Sequence, residues 1–587
     1  MTHADPDAAA AASAPPLHER VAAVLDAPEA ARAAAGGAHR SGSATVSVTW
    51  WDTPDWRLHR ARLAFGVHGT GRAGTAVLTS DDVAPRALAV AGPWVGGRGP
   101  VLPERLPAGE PAEVVVRVCG LRALLPLVTV TRSVTSLNVL DERDKTVARL
   151  RVVEPVAALE VAPGARYVRG GAARARPELA GPGWVEVEAL RGYARQAAVL
   201  ARLLEQAGLP VVAVLPGAPS ASTSAPRPAT VPAPVPAPTP GPGDVARLLR
   251  AAGLDPGRRL PRREASLSPS APAPVAVATM LLSFLDDVEA TADGVVDDVD
   301  TEFLHDLRIA VRRSRSAVKL AADVLPADLV AAFGPRLKWM GDVTTPLRDL
   351  DVHLLDLPAA AAGLRGFDAD DLEPFARFLR ARRVAEQRRL ARIVRSATWR
   401  EVCTQWRAAL EGVLERDAGP DVPRTGALAA AKVARADRRV TRLGAAITPA
   451  SPAEDLHTLR KRAKELRYVL ELFAPVLDAG AVRALVGDLK GFQDVLGRFQ
   501  DAEVQRDAVV ELAGQLAAGA AQAGQPVPVR ALLALGELAG RLALDQASAR
   551  ESFEGRFATY LEPDARAHVA ALTAPPGPRG SRKGKRR

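Results

Sequence analysis

The stretch HDLRIAVRRSR begins at His305, and HTLRKRAKELR begins at His457, 152 residues later. Both spell H-x-L-R-x-x-[AV]-[RK]-x-x-R. A second motif keeps the same offset. LKWMGDVTTPLRDLDV (337–352) and LKGFQDVLGRFQDAEV (489–504) align Lys338 with Lys490, Asp342 with Asp494, Asp349 with Asp501 and Asp351 with Glu503. Two separate motifs at one offset indicate internal duplication of a unit of roughly 150 residues. From about 275 to 570, apolar residues recur at three- and four-residue spacing, the period of amphipathic helices. A pair of pseudo-symmetric four-helix bundles is the simplest architecture for such a repeat.

On a helix at about 100° per residue, His305, Arg308, Arg312, Arg315 and Lys319 fall in one stripe about 80° wide. Leu307, Val311 and Val318 form a neighbouring apolar stripe that can face a core. In the second copy His457, Arg460, Lys464 and Arg467 make the equivalent stripe, with Lys461 nearby, over Leu459, Ala463, Leu466 and Leu470. Glu471 stands where Lys319 stood, so this stripe is one cation shorter. Stacked like charges repel by a few tenths of a kcal/mol per pair. They are tolerated if acids neutralise them or if an anion binds. Asp342, Asp349, Asp351, Asp494, Asp501 and Glu503 are the available acids. A further basic segment (Arg377, Arg380, Arg388, Arg392, Arg395) supplies more cations than these acids can pair, which favours an anion surface. Guanidinium forks match phosphate oxygens, and long stripes suit a linear polyanion. They lack the interleaved aromatics that stack nucleic-acid bases, and no familiar DNA-reading motif occurs.

The rest of the chain differs in texture. Residues 42–190 hold short β-rich runs: SATVSVTWWDT, RARLAFGV, TAVLTS, AEVVVRVCG, LVTVTRSVTSLNVL, TVARLRVVEPV and GWVEVEAL. Their alternation predicts an antiparallel sheet or barrel. Helices are expected at about 193–207 and 245–254, flanking a Pro/Ala-rich tract that cannot pack a core. Within the helical region Pro326, Pro358, Pro452 and Pro475 are expected to punctuate the helices. The last nine residues, RGSRKGKRR, carry six basic side chains and are expected to be a disordered tail. With 587 residues, 48% of them apolar, two or more domains are expected. The two cysteines, Cys119 and Cys403, are far apart in sequence and fit a reducing cytosol rather than a disulfide framework. No signal-peptide pattern and no uncharged apolar run long enough to span a bilayer are present.

The duplicated motif, each copy followed by LK…D…RD-x-D or a near variant, resembles the CHAD domain (conserved histidine α-helical domain). The resemblance covers about 275–570. It implies two four-helix bundles and binding of inorganic polyphosphate along a basic surface. By position it carries polyphosphate binding to His305, Arg308, Arg312, Arg315, Lys319, Lys338 and Arg348, and to His457, Arg460, Lys461, Lys464, Arg467 and Lys490. Gln500 replaces Arg348 in the second copy, which implies weaker binding there. VTWWDTPDWRLHRARLAFGV (48–67) and WVEVEAL (184–190) resemble parts of a CYTH domain, a triphosphate-binding β-tunnel that often precedes CHAD. Active CYTH members open with E-x-E-x-K. Here the corresponding place reads HERVAAVLDA (18–27), with only Glu19 remaining, and the cationic strand end reads AFGV (64–67).

The expected organisation is therefore α+β: a degenerate CYTH-like β-domain (17–210), a Pro/Ala-rich linker (211–274), a duplicated helical CHAD domain (275–570) and a basic tail (571–587). Inorganic polyphosphate is the expected partner, bound without catalysis, in the cytoplasm or at polyphosphate granules. Nucleic acid is expected only through the tail, and a membrane is not expected. The alternative is a metal-dependent triphosphatase. Glu186 and Glu188, on one face of a strand, would then be its metal ligands, and Mg²⁺ or Mn²⁺ its cofactor. Otherwise neither metal nor cofactor is expected, and a solvated strand face explains both carboxylates equally well. Trp50, Trp51 and Trp56 are expected to pack the β-domain. His59 and His353 stand isolated.

Overall fold

The computed structural model describes residues 15–28, 30, 36–69, 75–80, 88–89, 99–168, 176, 180–214, 241–257, 268–416, 419 and 421–573. The chain divides into two compact units, Met1–Leu260 and Pro261–Arg587. The basic tail, from 574 on, and most of the Pro/Ala-rich tract lie outside the described residues.

The first unit is a curled, antiparallel-rich half-barrel. Its strands are β1 (Ala38–Asp52), β2 (Leu63–His68), β3 (Thr75–Ser80), β4 (Leu88–Ala89), β5 (Leu125–Leu140), β6 (Thr146–Val161), β7 (Trp184–Ala189) and β8 (Val211–Val214). Their order is β4-β3-β2-β1-β5-β6-β7-β8, every pairing antiparallel except β7 with β8. The edges β4 and β8 do not pair with each other among the described residues. Five helices accompany the sheet: α1 (Leu17–Leu25), α2 (Arg57–Arg60), α3 (Glu110–Cys119), α4 (Ala194–Gln206) and α5 (Pro242–Ala251).

On the convex face α1 and α4 bury Val21, Leu200 and Leu204 against Val139, Leu150, Val152, Val185 and Val187. Leu58 of α2 and Val115 and Cys119 of α3 pack on Trp51, Phe65, Val67 and Leu78. AEVVVRVCG, expected as a strand, is α3. Its β-branched run has a helical burial pattern, with Ala112, Val115 and Cys119 inward, and tertiary packing overrides a propensity worth only fractions of a kcal/mol per residue. HERVAAVLDA is the helix α1, so it contributes no strand to the sheet. The expected linker is in part structured, since β8 and α5 both fall within 211–274.

The second unit is helical: α6 (Ala273–Val296), α7 (Thr301–Leu320), α8 (Ala327–Ala362), α9 (Glu373–Val394), α10 (Ala397–Glu415), α11 (Thr425–Ala445), α12 (Ala453–Phe473), α13 (Ala479–Gln522), α14 (Val529–Glu551), α15 (Phe553–Tyr560) and α16 (Pro563–Thr573). Helices α6, α7 and α8 begin at 273, 301 and 327, and α11, α12 and α13 begin at 425, 453 and 479. Each pair is offset by 152, so the duplication is one of whole helices. Asp300 starts α7 by accepting from the N–H groups of Glu302 and Phe303, and Asp478 starts α13 by accepting from Ala481. The apolar stripes are buried as their spacing requires: Leu307, Val311 and Val318 on α7, and Leu459, Ala463, Leu466 and Leu470 on α12. Pro326 and Pro452 precede helices, whereas Pro358 lies inside α8 together with Pro335 and Pro346. A proline removes one ladder bond, and α8 continues through all three.

Candidate functional site

Helices α7 and α12 pack against one another, which brings the two stripes together. The Arg312 guanidinium lies 5.9 Å from the centre of the Tyr468 ring on α12. Lys464, although its side chain reaches solvent, is held below its ordinary pKa by partial desolvation and by the cations around it, Arg460, Arg312 and Arg467. Arg312 is the one of these that comes from the first copy.

In the first copy Arg312, Arg315 and Lys319 are exposed, and none pairs with a carboxylate among the described residues. Arg308 is half-buried and donates through Nη1 to Gly341 O (3.1 Å), Thr344 Oγ1 (2.9 Å) and Thr345 Oγ1 (2.9 Å). Its acceptors are neutral, so they position the guanidinium without cancelling its charge. Gly341 keeps this face of α8 open, because a Cβ there would lie 3.0 Å from Arg315 Nη1. Arg348 has a buried Nη1 with no acceptor, an unsatisfied donor of the kind that costs about 1–3 kcal/mol or more when charged. Burial, then Arg348, pushes the His305 imidazole below its usual pKa. Lys338 is the exception, paired at 2.5 Å with Asp342 on its own helix.

The second copy is arranged differently. Arg460 pairs with Asp501 at 2.7 Å, His457 with Glu503 at 2.8 Å and Arg467 with Glu471 at 2.8 Å. Lys461, Lys464 and Lys490 are exposed and without a carboxylate partner among the described residues. The cause is readable by aligning the copies. Thr344 and Thr345 correspond to Leu496 and Gly497, so Arg460 has no hydroxyls to meet and turns to Asp501. Asp351, the counterpart of Glu503, is 1% exposed and is held by Arg383 Nε at 2.7 Å, so it is unavailable to His305. The threonines are the site residues that motif reading missed, and VTTP against VLGR was the signal.

The basic segment on α9 supplies fewer free cations than its composition promised. Arg377 and Arg380 approach Glu373 at 3.9 and 3.0 Å, and Arg395 approaches Asp297 at 3.3 Å.

The concave face of the sheet in the first unit is apolar. Val46, Val48, Trp50, Val130, Val134, Val153 and Leu248 of α5 line a cavity of only about 30 Å³, with His68, Arg132 and Trp184. That is room for about one water. A Cβ on Gly66 would lie 2.7 Å from the Trp50 ring, so the glycine of AFGV is where the tryptophan rests. Arg132 stacks over Trp184 at 4.6 Å. Glu186 is 3% exposed, accepts from Trp184 Nε1 at 3.0 Å and lies 3.5 Å from Arg151. Burial pushes its carboxyl up to about 7. It is thus neither solvated nor part of any cluster of three His, Cys, Asp or Glu side chains among the described residues. Trp50, Trp51 and Trp56 are all buried.

Residues 279–510 match the CHAD domain family. Two solved structures are similar. The CHAD domain from the plant Ricinus communis is 25% identical, covering 49% of this chain and 93% of that one, at a TM-score of 0.40. PptA from Streptomyces chartreusis is 17% identical, covering 49% of this chain and all of that one, at a TM-score of 0.38. No curated protein matches. No helix among the described residues is long and apolar enough to cross a membrane. The half-barrel is consistent with a CYTH-like tunnel, and the helical unit that follows it is a CHAD domain.

Proposed function

We propose that the helical unit binds inorganic polyphosphate without catalysis, along the joined stripes of α7 and α12. One observation carries the reading: the first-copy cations Arg312, Arg315, Lys319 and Arg348 pair with no carboxylate among the described residues, and Arg312 sits near Lys464 of the second copy. Such a cluster is self-repelling, and a phosphate chain laid along it relieves the repulsion while satisfying the orphaned Arg348 donor. Lys338, Lys461 and Lys490 extend the surface, and Arg308 is fixed in place by Thr344 and Thr345. The triphosphatase alternative finds little support, because Trp50, the valines and Leu248 fill the concave face where a triphosphate would need cations.

The test is titration calorimetry of the full chain with long-chain polyphosphate and with tripolyphosphate at low ionic strength. Long chains should bind, and tripolyphosphate, too short to engage both copies, should bind far more weakly. Reversing Arg312 and Arg315 to Glu should weaken long-chain binding more than reversing Lys464 and Arg467, since Arg467 already faces Glu471. Unchanged long-chain affinity in both double variants would leave the stripes with a purely architectural role.

A further inference from the structure

Helices α8, α9 and α10 border a shallow, open cleft of about 400 Å³. It is lined by Trp339, Arg389, Arg392, Ile393, Ser396 and Thr398. Trp339 is half-buried, its indole tilted on that of the buried Trp399 at 5.9 Å. Arg389 is partly engaged by Glu386 at 3.1 Å. Arg392 is exposed, donates only to the carbonyl of Arg388, and has no carboxylate partner among the described residues. Ser396 caps α10 and accepts from Trp399 N–H. The N–H groups of Ala397 and Thr398, in the first turn, have no intrahelical acceptor, and Thr398 lines the cleft.

We infer that this cleft is a nucleotide site, taking a planar ring against Trp339 and its phosphates on Arg392, Arg389 and the first turn of α10. An inorganic anion would use the guanidinia and leave the indole idle, and an apolar ligand would leave Arg392 idle. A planar ring joined to phosphate uses both. Ring stacking on indole is tolerant of which base is present, a guanidinium fork grips phosphate oxygens, and a helix N-terminus adds donors and a favourable dipole. The residues lining the cleft include none of the stripe residues.

ADP, adenosine and inorganic pyrophosphate are the probes, titrated calorimetrically into the full chain at one ionic strength. ADP should bind at least about tenfold more tightly than either fragment, because only ADP engages both stacking and charge-assisted contacts. Arg392→Gln, an exposed change that leaves the fold intact, should weaken ADP by about tenfold. Trp339→Leu should bring ADP down to the level of pyrophosphate. ADP binding should persist in protein saturated with long-chain polyphosphate. Pyrophosphate equal to ADP, an unchanged Arg392→Gln titration, absence of ADP binding, or its loss under saturating polyphosphate would each overturn the assignment.

Discussion

Arg308 and Arg460 occupy equivalent positions, yet one guanidinium ends on three neutral oxygens and the other on a carboxylate. The difference traces to Thr344 and Thr345 against Leu496 and Gly497. If Asp501 competes with a polyanion for Arg460, Asp501→Asn should raise long-chain polyphosphate affinity by about three- to tenfold, as expected for removing one nearby opposing charge. An unchanged titration would mean that Arg460 stays outside the contact. His305 supplies a second residue-level test. Burial and Arg348 lower its pKa in the free protein, so it is largely neutral at pH 7.5. A bound phosphate chain favours the imidazolium and raises the pKa in the complex. Protons are then taken up on binding, and affinity rises as pH falls from 7.5 through about 6.5. His305→Gln should flatten that rise, measured as affinity at three pH values. The same depressed pKa acts on stability with the opposite sense: the unfolded chain gains protons first, so His305 weakens folding as pH drops below about 6.5.

At the scale of elements, Arg383 of α9 connects three helices. Its Nη groups grip both oxygens of Asp298, 2.7 and 2.8 Å away, in the turn between α6 and α7. Its Nε donates to the buried Asp351 of α8. Asp298 adopts φ +52°, a left-handed conformation that costs a non-glycine residue something, and the guanidinium fork helps hold it there. Removing one partner of a buried ion pair typically costs about 3–5 kcal/mol. Arg383→Leu should therefore lower the unfolding free energy of the helical unit, measured by urea titration, by that amount, and adding Asp351→Asn should recover part of it. A loss below about 1 kcal/mol, the level of an ordinary surface pair, would contradict this role. These helices were legible in the sequence because their apolar period is long and repeated. Helix α3 was not, because AEVVVRVCG satisfies a strand's composition and a helix's burial pattern alike. The four-residue strand β8 is too short for its pattern to register.

For the molecule as a whole, a polyanion held by several cations displaces its condensed counterions. Nucleic acid gives the scale, with log K falling by about 0.7–0.9 per neutralised charge per decade of salt. Polyphosphate binding should therefore weaken steeply and linearly on a log–log plot between low and physiological salt, and each double charge reversal should reduce the slope. A slope near zero would contradict binding by charge. The paired motifs made the stripes readable, since periodicity alone puts their side chains on one face. Which acids neutralise which cations was not readable: Asp351 answers to Arg383, over thirty residues away, and only tertiary placement decides that. The half-barrel holds a different kind of lesson in Trp50 and Gly66. With the indole resting on Gly66, any side chain longer than hydrogen at position 66 collides until position 50 has first become smaller. A mutational route toward a cation-lined concave face thus has a compulsory order, position 50 before position 66. The direct step, Gly66→Arg, is closed from where this sequence now stands.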